Sequence, residues 1–453
     1  MTDFIIKKLP YDLSTHAGLA LVGKYLRRIN VPALVDPLFP VRSGISNSSC
    51  IKSYLALLCQ GKSDFDAVEA FRGDAFFQRA MGVEVVPSSP TLRQRMDSHA
   101  SAWFELAARI NEALLSLRIK GRAVDFGALG NGYMPLDIDT FAMDNSNSDK
   151  EHVGRTYAGV DGYCPLAGYL GTAGFCLELA LRPGTQHSAM ESQYNLERML
   201  PMAARLVMGP LLVRADSGFC STALMQAIEQ QARSQGREIA FIIKWNPRST
   251  DVESLAQQKV ADVGTPWVVL REGKRECVWQ DLLDLPGVGS ADNPARRIYR
   301  LSERTIDKHG QPLLLPEYIL EGWTTTLPAR FNASDIIALY ASHATHEQFH
   351  AEFKSDMNLE RLPSGKFDTN HLICQLAAVA MNLLRLIGQH TLHGKDAPLR
   401  HGAQRRRIKT IMQEIIYKAA RMIHHAKRWV LGLGANDRAY SVWQAHYSDL
   451  SSA

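Results

Sequence analysis

The residues best suited to chemistry crowd into one stretch, "HATHEQFHAEFK" (343–354), which carries three histidines and two glutamates. Inside it, His346-Glu347-Gln348-Phe349-His350 matches the HExxH pattern, where two histidines one helical turn apart bind zinc and the glutamate serves as general base. On that reading His346 and His350 are ligands and Glu347 is the base. The residues that follow, "AEFKSDM", lack the glycine and third histidine of the extended zinc motif. The zinc reading also leaves acids elsewhere in the chain unexplained. A second reading makes Glu347 an oxygen ligand of a hard divalent ion, and a third makes the stretch an ordinary solvated polar helix.

Helical spacing separates the two glutamates. At ~100° per residue, His343, Glu347, His350 and Lys354 share a stripe roughly 60° wide, whereas Glu352 lies about 140° from Glu347. The two carboxylates therefore cannot face one site.

Other acids stand where strands end. Asp137 and Asp139 in "LDIDT" are two apart on an expected strand and so share a face. Asp216 closes the apolar run "LLVRAD", where the chain turns toward a helix through Ser217-Gly218. In open α/β sheets, ligand sites form at the carboxyl ends of strands. Taken singly, each aspartate is more often a cap or turn residue.

The elements that must position these groups follow from periodicity. "MPLDIDTFAM" (134–143), "CPLAGYLG" (164–171) and "FCLELALRPG" (175–184) read as strands. A helix (188–207), a strand (209–219), a helix (221–233) and a strand (239–246) come next. Three strands, helix, strand, helix, strand is the order of a ribonuclease H-like α/β layer. Residues 250–326 read as an inserted, mainly β segment that does not continue that layer. This divides the chain into a helical N-terminal region (1–124), a first core part (125–249), the insertion (250–326), a second core part with the Glu347 helix (327–395) and a basic helical C-terminal region (396–453).

Composition sets outer limits. The chain has 453 residues, 46% hydrophobic and 21% charged, which suits a globular protein of several structural units. The seven cysteines include no CxxC pair, and the reading is reduced thiols in a reducing compartment. No apolar leader opens the chain, and the apolar run at 372–388 carries polar residues and reads as a core helix. The expectation is a cytoplasmic protein with no membrane partner. Net charge is only +5, but Arg400 to Arg428 contains a single acid, Glu414. Such a segment attracts phosphates or forms a solvated basic face.

Tyr340, His343, Glu347 and Lys354 follow the Tyr-x2-Arg-x3-Glu-x6-Lys signature of DDE transposases from bacterial insertion sequences, with His343 in place of the arginine. "LDIDT", "RADSGF", "LRPGTQHSA" and the stretch after the glutamate also resemble that group, and in order and wording most resemble the insertion sequence 1380 family, DDE transposase group 1. The resemblance spans roughly residues 14 to 440. It implies Asp139, Asp216 and Glu347 as catalytic metal ligands, with Asp137 the alternative to Asp139. It implies two Mg²⁺ ions, for which Mn²⁺ substitutes, in a two-metal phosphodiester cleavage followed by attack of the freed 3′-hydroxyl. The expected partners are double-stranded DNA, as terminal inverted repeats and target, and a second copy of the chain. The rival classes are a nuclease of the same fold and a non-catalytic DNA-binding relic.

The resemblance gives Tyr340, His343 and Lys354 contacts near the cut. A histidine donates a hydrogen bond there but is not reliably charged at neutral pH. Arg405, Arg406, Arg407, Lys409, Arg421, Lys427 and Arg428 are expected to contact phosphates. Trp267, Trp279 and Trp323 are candidates for stacking on an extruded base, with Trp323 ahead because it is nearest the Glu347 helix.

Overall fold

The computed structural model describes residues 4–8, 10–399 and 401–451, the side chains of 344–346 excepted. Its centre is a nine-stranded mixed sheet. In chain order the strands are β1 (Met134–Thr140), β2 (Leu166–Leu170), β3 (Phe175–Ala180), β4 (Leu211–Ala215), β5 (Ile239–Trp245), β6 (Val268–Arg271), β7 (Lys274–Leu282), β8 (Arg296–Ile306) and β9 (Pro312–Thr325). They lie side by side as β6-β7-β8-β9-β5-β4-β1-β2-β3. Strands β1, β4 and β5 are parallel, and β2 pairs antiparallel with both β1 and β3. Numbered within the core alone, the order is 3-2-1-4-5 with strand 2 reversed, the ribonuclease H-like arrangement. The all-buried runs "LAGYL", "FCLELA" and "LLVRA" follow from covering this sheet on both faces.

The segment 250–326 departs from expectation. It is mainly β, but it extends the central layer, because Gly322–Thr325 of β9 pair with Ile242–Trp245 of β5. Strand β9 is fourteen residues long, and its last four residues are buried. They occupy what would otherwise be an open sheet edge, the kind of edge folded proteins cover.

Helices α1 (Leu19–Arg28), α2 (Asn47–Leu58) and α3 (Trp103–Leu115) form the N-terminal layer. Beyond β3 come α4 (Ser192–Leu206), α5 (Thr222–Gln235) and α6 (Val252–Ala261). After β9 come α7 (Ala333–Ala341), α8 (His346–Ala351) and α9 (Phe367–Leu392). By length and apolarity α9 passes the test for a membrane span, but 94% of its most apolar window is buried inside this fold, so it is a core helix. α1, α2 and α3 all pack on it. One hydrophobic core runs from Ala17 and Leu19 through Leu376 and Leu383 to Trp443 and Leu450. The N- and C-terminal regions thus share a core with the central sheet.

The C-terminal region is also not all helical. Ala420–His425 (β10) and Arg428–Leu433 (β11) form a hairpin, and the short strand Asp12–Ser14 pairs with β10. Its two-residue turn, Ala426-Lys427, places both residues at positive φ (49° and 61°). Such turns favour Asn-Gly or Asp-Gly, so the sequence carries no turn signal there.

Candidate active site

Strand alternation and register place four charged side chains on one face of two adjacent parallel strands. Asp137 of β1 pairs with Arg214 of β4, and Ile138 with Ala215. Asp139 and Asp216 are the next residues along, Asp139 near the carboxyl end of β1 and Asp216 directly after β4. Each is fixed locally. An Asp139 carboxylate oxygen accepts the Thr140 amide at 2.7 Å, and Asp216 Oδ1 accepts the Gly218 amide at 2.9 Å as cap of the turn Ser217–Phe219.

Asp137 and Asp139 have different surroundings despite sharing a face. Arg214 Nε and Nη2 donate to the two oxygens of Asp137 at 2.6 and 2.8 Å, and both side chains are almost wholly buried. The remaining nitrogen of Arg214 donates to the Leu339 carbonyl at 2.7 Å and to the Ser342 hydroxyl. Asp137 is therefore the foot of an ion pair that holds the end of α7 to the sheet. Asp139 is more open, with His350 Nδ1 3.9 Å from its carboxylate.

The chain from α7 into α8 crosses over these carboxylates. His343 Nε2 lies 3.9 Å from Asp137, and His350, two helical turns on, faces Asp139. Glu347 lies between them in the chain, one turn before His350, and unlike the two buried histidines its side chain is exposed. On the opposite side Phe349 is buried against Tyr169, with ring centroids 4.9 Å apart, and over Gly174. Glu352 is fully buried: Arg385 and Arg405 donate to it at 2.7 and 2.5 Å, and the Ile408 amide at 3.1 Å. The five residues from Glu352 form a π-helical turn, a widening found often beside functional sites.

Two tyrosines sense both aspartates. The Tyr340 phenol is pushed up by burial and then by the negative charges of Asp216 and Asp139. Tyr157 is shifted the same way, by burial, by Asp139 and to a smaller extent by Asp216. Tyr340 packs 6.0 Å from Trp323 and 5.6 Å from His343, centroid to centroid.

Several sequence expectations change in this setting. Trp323 is 2% exposed, with Arg300 over its ring at 5.3 Å, so it is a core residue here and not a platform for a base. His343 is likewise buried, turned to Asp137 and Tyr340 and away from solvent. Lys354 pairs with Glu360 at 3.2 Å. In the basic segment, Arg405 is committed to Glu352, Arg407 is bidentate to Asp356 at 2.8 and 2.9 Å, and Arg406 donates to the carbonyls of Leu392 and His401. Lys409, Arg421, Lys427 and Arg428 are exposed. Of the zinc reading, the His346 side chain lies outside the described residues, and the His350 ring is stacked on Phe141 at 4.4 Å.

Sequence reasoning missed Arg214 and Tyr157. Arg214 was within reach: it stands two before Asp216, as Asp137 stands two before Asp139, so parity alone puts it opposite Asp137. Tyr157 sits in a loop whose approach to Thr140 depends on long-range folding.

Among the described residues no three His, Cys, Asp or Glu groups converge closely enough to hold a metal ion. Asp139, Asp216 and the exposed Glu347, the residues the resemblance implies, carry oxygen donors only, the chemical type that hard divalent ions take.

Fold and site together define an α/β protein of the ribonuclease H-like class with two aspartates at the switch between parallel strands. Over residues 12–451 the chain matches the family described as transposase DDE domain group 1, and it belongs to that family. Among solved structures it is similar to the piggyBac transposase of a cryo-EM synaptic complex with hairpin DNA, at 12% identity and a TM-score of 0.42, covering 97% of this chain and 82% of that one. No curated protein matches the chain.

Proposed function

We propose that this protein is a DNA transposase of the insertion sequence 1380 type, which binds the terminal inverted repeats of its element, cuts at their ends and joins the 3′-hydroxyls to target DNA as a homodimer. What supports this reading is that Asp139 and Asp216 come directly after the last paired residues, Ile138 and Ala215, of neighbouring parallel strands, in a chain of the DDE transposase family. The end of α7, from which the chain leads into the helix bearing Glu347, is held to the same strands by Arg214.

Asp139, Asp216 and Glu347 would hold two Mg²⁺ ions, with Mn²⁺ able to substitute. When bound, such ions activate the attacking oxygen and stabilise the leaving one. The chain's own residues do the rest. Thr140 and Gly218 amides orient the two aspartates by donating to them. His350 presents Nδ1 toward Asp139. Arg214 occupies both carboxylate oxygens of Asp137, so that this acid does not compete as a ligand. Exposed Lys409, Arg421, Lys427 and Arg428 supply phosphate contacts, which position DNA without reading its sequence.

The test is cleavage of a labelled duplex carrying the gene's flanking inverted repeats, in Mg²⁺, by the wild type, Glu347→Gln and Glu352→Gln. Cutting at the repeat boundary should vanish with Glu347→Gln while the folded protein keeps its melting temperature. Glu352→Gln should act through stability instead, because it loosens a fully buried carboxylate from two guanidiniums. Cutting without joining in a strand-transfer assay would favour the nuclease. DNA binding without any cutting would favour the relic.

A further inference from the structure

One large aromatic beside the two aspartates is left in solvent. Tyr157 is 72% exposed, and it stands at the tip of a tight hairpin between Gly154–Arg155 and Asp161–Tyr163. The tip is well tied. The Thr156 amide and hydroxyl donate to the Val160 carbonyl at 2.9 and 2.8 Å, the Gly159 amide donates to Thr156 at 3.0 Å, and Gly159 supplies the positive φ of 78° that closes the turn. The phenol reaches back and donates to the Thr140 carbonyl at 3.3 Å. Thr140 is the residue whose amide caps Asp139. The ring is thus held at its far end against the strand that carries Asp139, while its face stays open.

Single exposed aromatics are ordinary on protein surfaces. Three features separate this one: a rigid hairpin, a tether next to Asp139, and a location where the charges of Asp139 and Asp216 both reach it. An aromatic face in such a place is the surface on which a nucleic-acid base stacks, and stacking tolerates any base because each has a π-face. The tryptophan expected to do this, Trp323, has its ring in the core.

We infer that Tyr157 is a DNA-binding residue whose ring stacks on an unpaired base at the end being cut, and that its hydroxyl bond to Thr140 sets the ring's position relative to Asp139. The inference rests on the proposed transposase function. Arg155 is exposed on the same hairpin, its guanidinium 3.6 Å from Asp161.

The experiment measures binding, in Ca²⁺, of the flanking inverted-repeat duplex and of a series with one abasic nucleotide stepped across the repeat boundary. Tyr157→Ala should bind the intact duplex about ten-fold or more weakly, in keeping with the cost of losing one base–aromatic stack. Tyr157→Phe, which keeps the ring but loses the bond to Thr140, should bind it less tightly than the wild type and more tightly than Tyr157→Ala. At one abasic position the wild type should lose the same factor, and Tyr157→Ala should lose nothing further, because both changes remove the same stacking partner. An equal loss for Tyr157→Ala on every abasic duplex, or no loss at all, would overturn the stacking role while leaving the transposase reading intact. Failure of the wild type to bind any of the duplexes would bring down the proposed function, and this inference with it.

Discussion

Arg214 and Asp137 form a buried, bidentate ion pair across the first two parallel strands, at 2.6 and 2.8 Å. The same guanidinium holds the carbonyl of Leu339 at the end of α7. One residue thus joins two core strands to the segment that leads into Glu347. Removing one partner strands the other charge in the core, at a cost of about 3–5 kcal/mol. Arg214→Met should show that loss in urea unfolding. Arg214→Met combined with Asp137→Leu should recover most of it, because an apolar pair of similar volume often matches a buried ion pair. The recovered stability should not bring back activity, since the tie to Leu339 is still gone.

The parity of "LDIDT" limited the first acid to Asp137 or Asp139 but could not rank them, because both lie on one face of the strand. The structure separates them by what stands opposite: Arg214 against Asp137, and the Asp216 turn beside Asp139. Helical spacing was equally informative within "HATHEQFHAEFK". It set Glu352 off the Glu347 stripe, and Glu352 is indeed the fully buried partner of Arg385 and Arg405. That pairing also shows why the basic run misled. Arginine counts say nothing of carboxylates fifty residues away in sequence, and Arg405 and Arg407 answer Glu352 and Asp356. The hairpin turn at Ala426-Lys427 was illegible for a simpler reason, its residues being atypical of their conformation.

Four exposed cations of the C-terminal region can be told apart from arginines paired with carboxylates by salt. Replacing Lys409, Arg421, Lys427 and Arg428 together by alanine should reduce the slope of log affinity against log salt by up to about 3.6, at roughly 0.9 for each phosphate no longer neutralised. Melting temperature should hardly move. Arg407→Ala should do the reverse, lowering the melting temperature by freeing Asp356, with little change in slope. Filter binding between low and moderate salt, together with thermal unfolding, would show either pattern.

His446 gives the fold a built-in acid sensitivity. Its ring is buried, hydrogen-bonded with the Tyr25 hydroxyl at 3.0 Å and stacked on His390 with centroids 4.7 Å apart. Burial, and then the neighbouring His390, push it down to about 3. The unfolded chain takes up that proton near pH 6.5, whereas the folded chain does not until about pH 3. The contribution is therefore whole above pH 6.5 and is lost as pH falls through that window, at most about 1.4 kcal/mol per pH unit. Urea midpoints should drop between pH 7 and pH 5. His446→Phe should start lower, since Tyr25 loses its partner, and should fall less steeply over the same range.

Gly174 sets how close α8 can come to the sheet. It has φ +70°, and a Cβ built on it would lie 2.3 Å from the Phe349 ring. Phe349 is buried two residues after Glu347, so any push on its ring is a push on the helix that carries Glu347. Gly174→Ala should cost about 1–2 kcal/mol for the left-handed backbone alone, with the ring clash in addition. It should also reduce DNA cleavage at temperatures well below its own melting point, because α8 is displaced before the fold fails. Gly174→Ala with Phe349→Leu separates the two effects. A smaller side chain relieves the clash but not the backbone, so the pair should regain cleavage while staying less stable than the wild type. Cleavage unchanged in Gly174→Ala alone would mean that the position of α8 does not depend on this packing.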